Sequence, residues 1–170
     1  MTVADQRRDA PVSRPTPATP DEFADWVRPH LMAMGRLAAR FAPDADRDDV
    51  VQEALLRAWS KRRQYDPERG ALSSWLLAIT ADQAGKARRR ARRPLALVGD
   101  RPSKDADARV DVERALVHLS VRQRQAVDCL YFVGLSVSET AAVMGCSEGT
   151  VKSTLADARA KLRVLLEVAK

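Results

Sequence analysis

Cysteine, glycine and aromatic side chains are all scarce in this sequence: two cysteines, seven glycines and 5% aromatics among 170 residues. Cys129 and Cys146 lie in neither a CxxC motif nor a Cys/His cluster, which gives a disulfide scaffold or a zinc site poor support. So little glycine and aromatic content argues against a sheet-rich fold. No apolar run approaches the ~20 residues that cross a bilayer, so no membrane insertion is expected. The opening MTVADQRRDAPVSRPTPATP lacks the apolar core of a signal peptide, and the expected location is the cytoplasm. Gly-rich phosphate loops, nucleophile elbows and paired metal motifs are missing too. His30 and His118 stand far apart in helical apolar patterns, which suits core or surface positions rather than catalysis. The expectation is a protein that is no enzyme, with no catalytic residue, no cofactor and no metal.

What is abundant is alanine, leucine and arginine, and 45% of the chain is apolar, enough to fill cores. That mixture favours an all-α fold. The formal charge of +6 is modest for a nucleic-acid binder, but its placement is uneven. Residues 21–83 carry 9 basic and 11 acidic groups, residues 84–110 carry 9 and 3, and residues 111–170 carry 8 and 7. One short stretch holds the excess.

Residues 1–20 hold four of the nine prolines and read as a disordered tail. From Asp21, the residues Phe23, Trp26, Val27, Leu31, Met34, Leu37 and Phe41 recur at helical steps until Pro43. A second helix is predicted from about Asp46 to Arg63, acidic at its start and basic at its end as the helix dipole prefers. YDPERG (residues 65–70) has turn chemistry. A third helix, about Leu72 to Arg93, should bury Leu72, Trp75, Leu76 and Ile79 before Pro94 closes it. Residues 94–110 read as a linker. Four helical segments then follow within 111–170. The first is about Val112–Leu119. The second opens on the capping box of Ser120 and Gln123 and stops at Gly134. The third opens on the capping box of Ser136 and Glu139 and stops at Gly145. The last runs from Ser147 to about Val168. The predicted architecture is two small helical domains joined by a linker.

The segment SVSETAAVMGCSEGTVKSTLADARAKL (136–162) carries the strongest signal: a short helix, a tight turn and a longer helix. This is the helix-turn-helix layout, whose second helix enters the DNA major groove. Val151, Leu155 and Leu162 would form its buried stripe. Glu148, Thr150, Lys152, Ser153 and Thr154 would face base edges and phosphates near its start. An ordinary helical hairpin with serine caps is the bland alternative. Lys86–Arg93 (KARRRARR) packs six basic residues into eight, the density a phosphate strip needs to displace counterions. A solvated basic helix end would look the same. On the second helix, Asp49, Gln52, Glu53 and Leu56 share the side opposite the apolar stripe. That face is either merely solvated, or a dock for a protein with basic groups, since it would repel DNA. A nuclease would need metal-binding carboxylates, and Asp44, Asp46, Asp48 and Asp49 are the candidates; their spacing better suits a helix start.

With these pieces in order, residues 21–168 resemble the extracytoplasmic-function (ECF) sigma factors, the smallest bacterial sigma-70 type. DRDDVVQEALLRAW (Asp46–Trp59) is similar to that family's acidic signature, which implies Asp49, Gln52, Glu53, Leu56 and Arg57 as contacts to the β′ clamp helices of core RNA polymerase. YDPERGALSSWLLAI (Tyr65–Ile79) is similar to the loop and helix that capture an unstacked −10 base. The resemblance thus implies a −10 site of Tyr65, Arg69, Gly70, Ala71, Asp82 and Lys86, continued along the backbone by Arg88, Arg89, Arg90, Arg92 and Arg93. Residues 119–163 resemble the domain that reads the −35 element and binds the flap tip of the β subunit. CSEGTVKS is its most specific stretch, implying a recognition set of Ser147, Glu148, Gly149, Thr150, Lys152, Ser153, Thr154 and Arg159. The family usually has Asn and Asp where this chain has Asp82 and Lys86, and often Arg at Thr154 and Asp157. The resemblance implies sigma region 2 at 21–93, region 4 at 111–170, promoter DNA and core polymerase as partners, and allows an anti-sigma factor. The alternative is a helix-turn-helix regulator that never binds core polymerase.

Overall fold

The structure is a computed structural model that describes residues 16–92 and 114–168. Among the described residues the secondary structure is entirely helical, in agreement with the expected all-α class. Helix α1 (Pro20–Val27) starts from a capping box in which Thr19 accepts from the Glu22 N–H and Glu22 returns the bond. This shortens the tail expected at 1–20. The Pro17 carbonyl already accepts a hydrogen bond from Arg62 (3.0 Å), while residues 1–15 lie outside the described region, as do the linker expected at 94–110 and Arg93.

The single helix expected from Asp21 to Phe41 is two. A 3₁₀ turn at Arg28–His30 separates α1 from α2 (Leu31–Phe41). Pro29 lacks the N–H that a continuous helix would need. The break resets the helical phase, so Leu31, placed in the buried stripe by periodicity, is instead 37% exposed beside a 73% exposed Met32. Helix α3 (Arg47–Lys61) is capped by Asp46, whose carboxylate accepts from the N–H groups of Asp48 and Asp49. Helix α4 (Leu72–Arg92) follows the 65–70 turn. Phe23, Trp26, Met34, Leu37, Ala54, Ala58, Leu76 and Leu77 form the buried centre of these four helices.

Beyond the linker come a short helix at 114–117 (α5), α6 (Val121–Val127), α7 (Val137–Met144) and α8 (Glu148–Val168). The expected capping boxes at Ser120–Gln123 and Ser136–Glu139 are both formed. Helix α6 runs on into a π-helical turn at Asp128–Val133, which ends at Gly134. The widened turn points Asp128, Cys129 and Val133 inward and leaves Tyr131 and Phe132 exposed. Val151, Leu155 and Ala158 of α8 pack with Leu116, Leu119, Ala126, Val127 and Ala141, and Leu162 joins at the edge. The expected stripe of Val151, Leu155 and Leu162 is therefore the one used.

The two halves do not stand apart. Cys129, Val133 and Leu135 belong to the same apolar cluster as Met34, Leu37, Leu76 and Leu77, and α7 lies along α4. Arg40 on α2 donates to the buried Asp128 carboxylate at 2.7 Å, and its guanidinium sits 4.0 Å from the centre of the Phe132 ring. Leu76 is fully buried at the centre of this shared cluster. Its replacement by alanine leaves a cavity and is expected to destabilise the chain by about 2–5 kcal/mol in urea unfolding; a loss under 1 kcal/mol would show that the core is not packed as described.

Candidate nucleic-acid interface

The helix-turn-helix depends on its turn. Gly145 takes the left-handed conformation (φ 62°, ψ 40°). The Cys146 N–H then reaches back to the Ala141 carbonyl (3.1 Å) and the Gly145 N–H to that of Ala142 (3.3 Å), which closes a Schellman motif. Ser147 begins the next helix. Its hydroxyl accepts from the Thr150 N–H (3.2 Å) and lies 2.9 Å from the Thr150 hydroxyl. Of the expected recognition set, Ser147, Glu148, Gly149, Thr150, Lys152 and Ser153 are exposed at the start of α8, and Arg159 is exposed midway along it. Thr154 is half-buried. Ser153 donates to the Thr150 carbonyl (3.0 Å) and keeps its lone pairs for an incoming donor.

A second site lies in the turn between α3 and α4. Asp66 caps a 3₁₀ turn at Pro67–Arg69, accepting from the Glu68 N–H. Gly70 then adopts φ 153°, a conformation closed to most side chains. The Tyr65 hydroxyl donates to the Gly70 carbonyl (3.2 Å), bracing the loop. The Tyr65 ring packs edge-on to Trp26 (5.3 Å) and tilted against Trp75 (5.5 Å). Burial there, with the Asp66 charge beside it, raises the phenol's pKa. A concavity of about 360 Å³ opens over this platform, lined by Tyr65, Asp66, Arg69, Gly70, Ala71, Ser74 and Trp75. Four of the expected −10 residues thus share one cavity. Ala142 of α7 also lines it, a contact that nothing in the sequence foretold.

Farther along α4, Lys86 donates to Asp82 at 2.7 Å across one helical turn, so the two departures from the family pattern pair with each other. Arg88, Arg89 and Arg90 are exposed, and Arg92 ends the helix. On α3, Asp49, Gln52, Glu53, Leu56 and Arg57 are all exposed, Leu56 at 61%. The acidic residues weighed as a metal site serve the helix start instead, since Asp46 spends its carboxylate on the cap. Among the described residues no group of three or more His, Cys, Asp or Glu could hold a metal ion. No described helix is long and apolar enough to cross a membrane.

Known proteins fit this layout domain by domain. The sigma-70 region 2 profile matches residues 26–94 and the sigma-70 region 4 profile matches residues 109–162. The chain is 39% identical over 142 residues to the ECF RNA polymerase sigma factor SigM of Mycobacterium tuberculosis, covering 80% of this chain and 71% of SigM. This chain belongs to the ECF sigma factors of the sigma-70 family. It is also 33% identical over 150 residues to the RNA polymerase sigma-E factor of Streptomyces coelicolor, with 84% of each chain covered. Among solved structures it is similar to CnrH in complex with the cytosolic domain of CnrY (TM-score 0.64, 29% identity, 90% of this chain and 92% of that one). It is similar also to the sigma factor RpoE in complex with the anti-sigma factor NepR from Bartonella quintana (TM-score 0.61, 27% identity, 88% and 99% covered). As a sigma factor it works with RNA polymerase on promoter DNA, and the reading as a regulator that never meets polymerase is set aside.

Region 2 and region 4 meet at a polar junction that sequence patterns did not reveal. The Glu139 carboxylate accepts from the Ser136 N–H (2.9 Å) and hydroxyl (3.0 Å), and is bonded by the Ser73 hydroxyl of α4. Burial alone would raise its pKa, but those bonds and the nearby His30 bring it below the ordinary 4.5. Burial lowers the His30 pKa from 6.5, and Glu139 only partly offsets this. Both shifts act in one direction. Glu139 adds stability above its ordinary pKa that disappears as pH falls through its lowered folded value, and charging His30 below 6.5 opposes the buried form. The thermal midpoint should therefore fall on acidification, through His30 below 6.5 and through Glu139 below 4.5. Glu139→Gln should flatten the acidic limb in circular dichroism melts; an unchanged profile would remove Glu139 from that role.

Proposed function

We propose that the two domains act on different parts of one promoter complex: region 2 grips core polymerase and the opened −10 strand, while region 4 grips the −35 duplex. The observation that carries this reading is the separation of surfaces. Helix α3 presents an acidic face around exposed Leu56, α4 ends in exposed Arg88–Arg90, and α8 offers short polar groups on its free end. The α3 face suits a basic protein surface, and Asp49, Gln52, Glu53, Leu56 and Arg57 are assigned to the β′ clamp helices. An unstacked −10 base enters the cavity on the Tyr65–Trp75 platform. Flipping it costs a few kcal/mol, which stacking and polymerase docking offset. Lys86 and the arginines through Arg93 hold the strand's phosphates. Lys152 and Arg159 anchor α8 in the −35 major groove, where Glu148, Ser153 and Thr154 meet base edges; region 4 also takes the β flap tip. The factor works in the cytoplasm and catalyses nothing itself, the bond-making belonging to polymerase. An anti-sigma partner is part of the reading, because the similar RpoE was solved bound to one.

In vitro transcription with core enzyme on a genomic fragment library should yield discrete start sites that share two upstream elements. Folded protein that directs initiation from no template would overturn the reading. For the basic strip, replacing Arg89 and Arg90 together by alanine should weaken binding to every promoter alike. It should also cut the slope of log K against log salt by roughly two, at about 0.9 per phosphate contact. A slope equal to wild type would take these residues out of the strip.

A further inference from the structure

We propose that Arg62 is a positioning residue for the cavity over Tyr65: it pins the 16–19 arm and α1 to the end of α3, and α1 in turn sets the rings that form the cavity floor. The inference rests on the assignment of that cavity to an unstacked −10 base. Lys61, Arg62 and Arg63 make a basic run that reads at first as one more strip for phosphates. Arg62 is engaged otherwise. Its Nε donates to the Pro17 carbonyl (3.0 Å) and a terminal nitrogen donates to the Trp59 carbonyl (2.8 Å). The Trp59 carbonyl is among the last four of α3, which lack partners inside the helix. The guanidinium lies 3.6 Å from the centre of the Trp59 ring. This planar fork stacks and bridges at once, so Arg62 is half-buried while its neighbour Arg63 is exposed.

From this pin a continuous set of contacts leads to the cavity. After the buried Pro17 come Ala18 and Thr19, whose N–H groups both donate to the Glu22 carboxylate (2.7 and 3.2 Å). The arm is therefore tied to α3 at one end and to α1 at the other. Helix α1 has eight residues, too few to hold its shape without support from the fold. It meets the rest of region 2 through the buried Phe23, Trp26 and Val27. Phe23 packs edge-on to Trp59 (5.2 Å), the ring that Arg62 covers. Trp26 packs edge-on to Tyr65 (5.3 Å) and tilted against Trp75 (6.0 Å).

Trp26 matters because Tyr65 has no helix to hold it. Tyr65 stands between the 3₁₀ turns at Arg62–Gln64 and Pro67–Arg69, so its ring takes its place from what lies behind it. Tyr65 and Trp75 line the cavity, whereas Trp26, only 6% exposed, backs them. Close-packed side chains carry a shift onward rather than absorb it. Loss of the Arg62 pin lets α1 move, Trp26 recede and the Tyr65 ring lose its backing. Under the proposed function the strand's phosphates are held elsewhere, by Lys86 and Arg88–Arg90, so the loss falls on the base alone.

The test compares wild type, Arg62→Gln and Arg62→Lys as full chains. All three tryptophans of the sequence belong to this ring group, so near-ultraviolet circular dichroism of the free chain reports its packing directly. Arg62→Gln should lose near-ultraviolet signal while the far-ultraviolet spectrum keeps its helical form. Each protein is then assembled with core polymerase and titrated with a fluorescent single strand carrying the non-template −10 sequence of a promoter transcribed by wild-type holoenzyme. One abasic site is moved along that strand. In wild type one position should cost about tenfold in affinity, the effect of one base–ring stack, and in Arg62→Gln the same position should cost about threefold or less. Affinity for that abasic strand and for core polymerase should not change, which a merely loosened fold would not give. Arg62→Lys keeps the charge without the planar fork. It should show the same change in smaller measure, and it decides the matter should Arg62→Gln fail to fold. Variant spectra equal to wild type, or an undiminished abasic penalty, would overturn the pin. A wild type with no base-sensitive position would instead sink the −10 reading, and the spectra would still judge the pin.

Discussion

Everything in this chain leans on α4. One helix supplies the centre of the region 2 core through Leu76 and Leu77, a wall of the cavity over Tyr65 through Ser74 and Trp75, the seat for α7, and the basic strip at its far end. An α-helix can serve these uses together only because its period of ~3.6 spreads successive residues around the axis, while its rise of ~1.5 Å per residue separates the cavity from the strip. Leu76 and Leu77 face inward while Trp75 reaches the aromatic group with Trp26 and Tyr65. Core packing therefore sets the position of the cavity and of the exposed arginines. A change that shifts α4 moves the cavity, the arginines and the docking seat together, since close-packed interiors transmit strain rather than absorb it.

Local chemistry explains why the helix-turn-helix was legible from the sequence. Capping boxes at Ser120 and Ser136 and the left-handed Gly145 act within four or five residues, and so does the buried stripe of α8; signals of that range are written in order along the chain. The grouping of Tyr65, Arg69, Gly70 and Ala71 around one cavity was legible only through the family resemblance. Its parts, Tyr65, Gly70 and Trp75, are individually ordinary, and their meaning comes from a ring cluster completed by Trp26 from another helix. Leu31 was misplaced because periodicity assumes one continuous helix, and Pro29 inserts a 3₁₀ turn that breaks the phase. The docking of the two domains was not legible at all. Arg40 and Asp128 are 88 residues apart. Nothing in AVDCLYFV announces a π-helical turn, which depends on one extra residue fitting into a packed environment.

Acidic and basic faces on one small domain raise the question of why region 2 does not bind its own charges. Residues that could neutralise one another stay apart because each is held elsewhere. Asp46 is tied to the α3 N-terminus, and Arg62 stacks on Trp59 at 3.6 Å while holding the carbonyls of Pro17 and Trp59. Arg88–Arg90 lie on the solvent side of α4 beyond the packed helices. Arg57 apart, the exposed groups of the α3 face are acidic or neutral while those at the end of α4 are basic, which lets one surface suit a basic protein and another suit phosphate with little mutual quenching.

The Asp82–Lys86 pair shows how the chain tolerates its departures from the family pattern. An aspartate beside a phosphate path would repel the backbone if left alone. Here its charge is met within one turn of the same helix by Lys86 at 2.7 Å. The side chains remain 57% and 40% exposed, respectively, and such surface pairs are worth only about 0.3–0.5 kcal/mol. The bond is strong enough to cancel the local charge and weak enough to yield. Under the proposed function, a phosphate would draw Lys86 away at small cost and leave Asp82 an acceptor for an exocyclic amino group, the one hydrogen-bonding role a carboxylate can play toward a base. Against the family's neutral Asn and acidic Asp, the two substitutions place one negative and one positive charge a helical turn apart, and each meets the other.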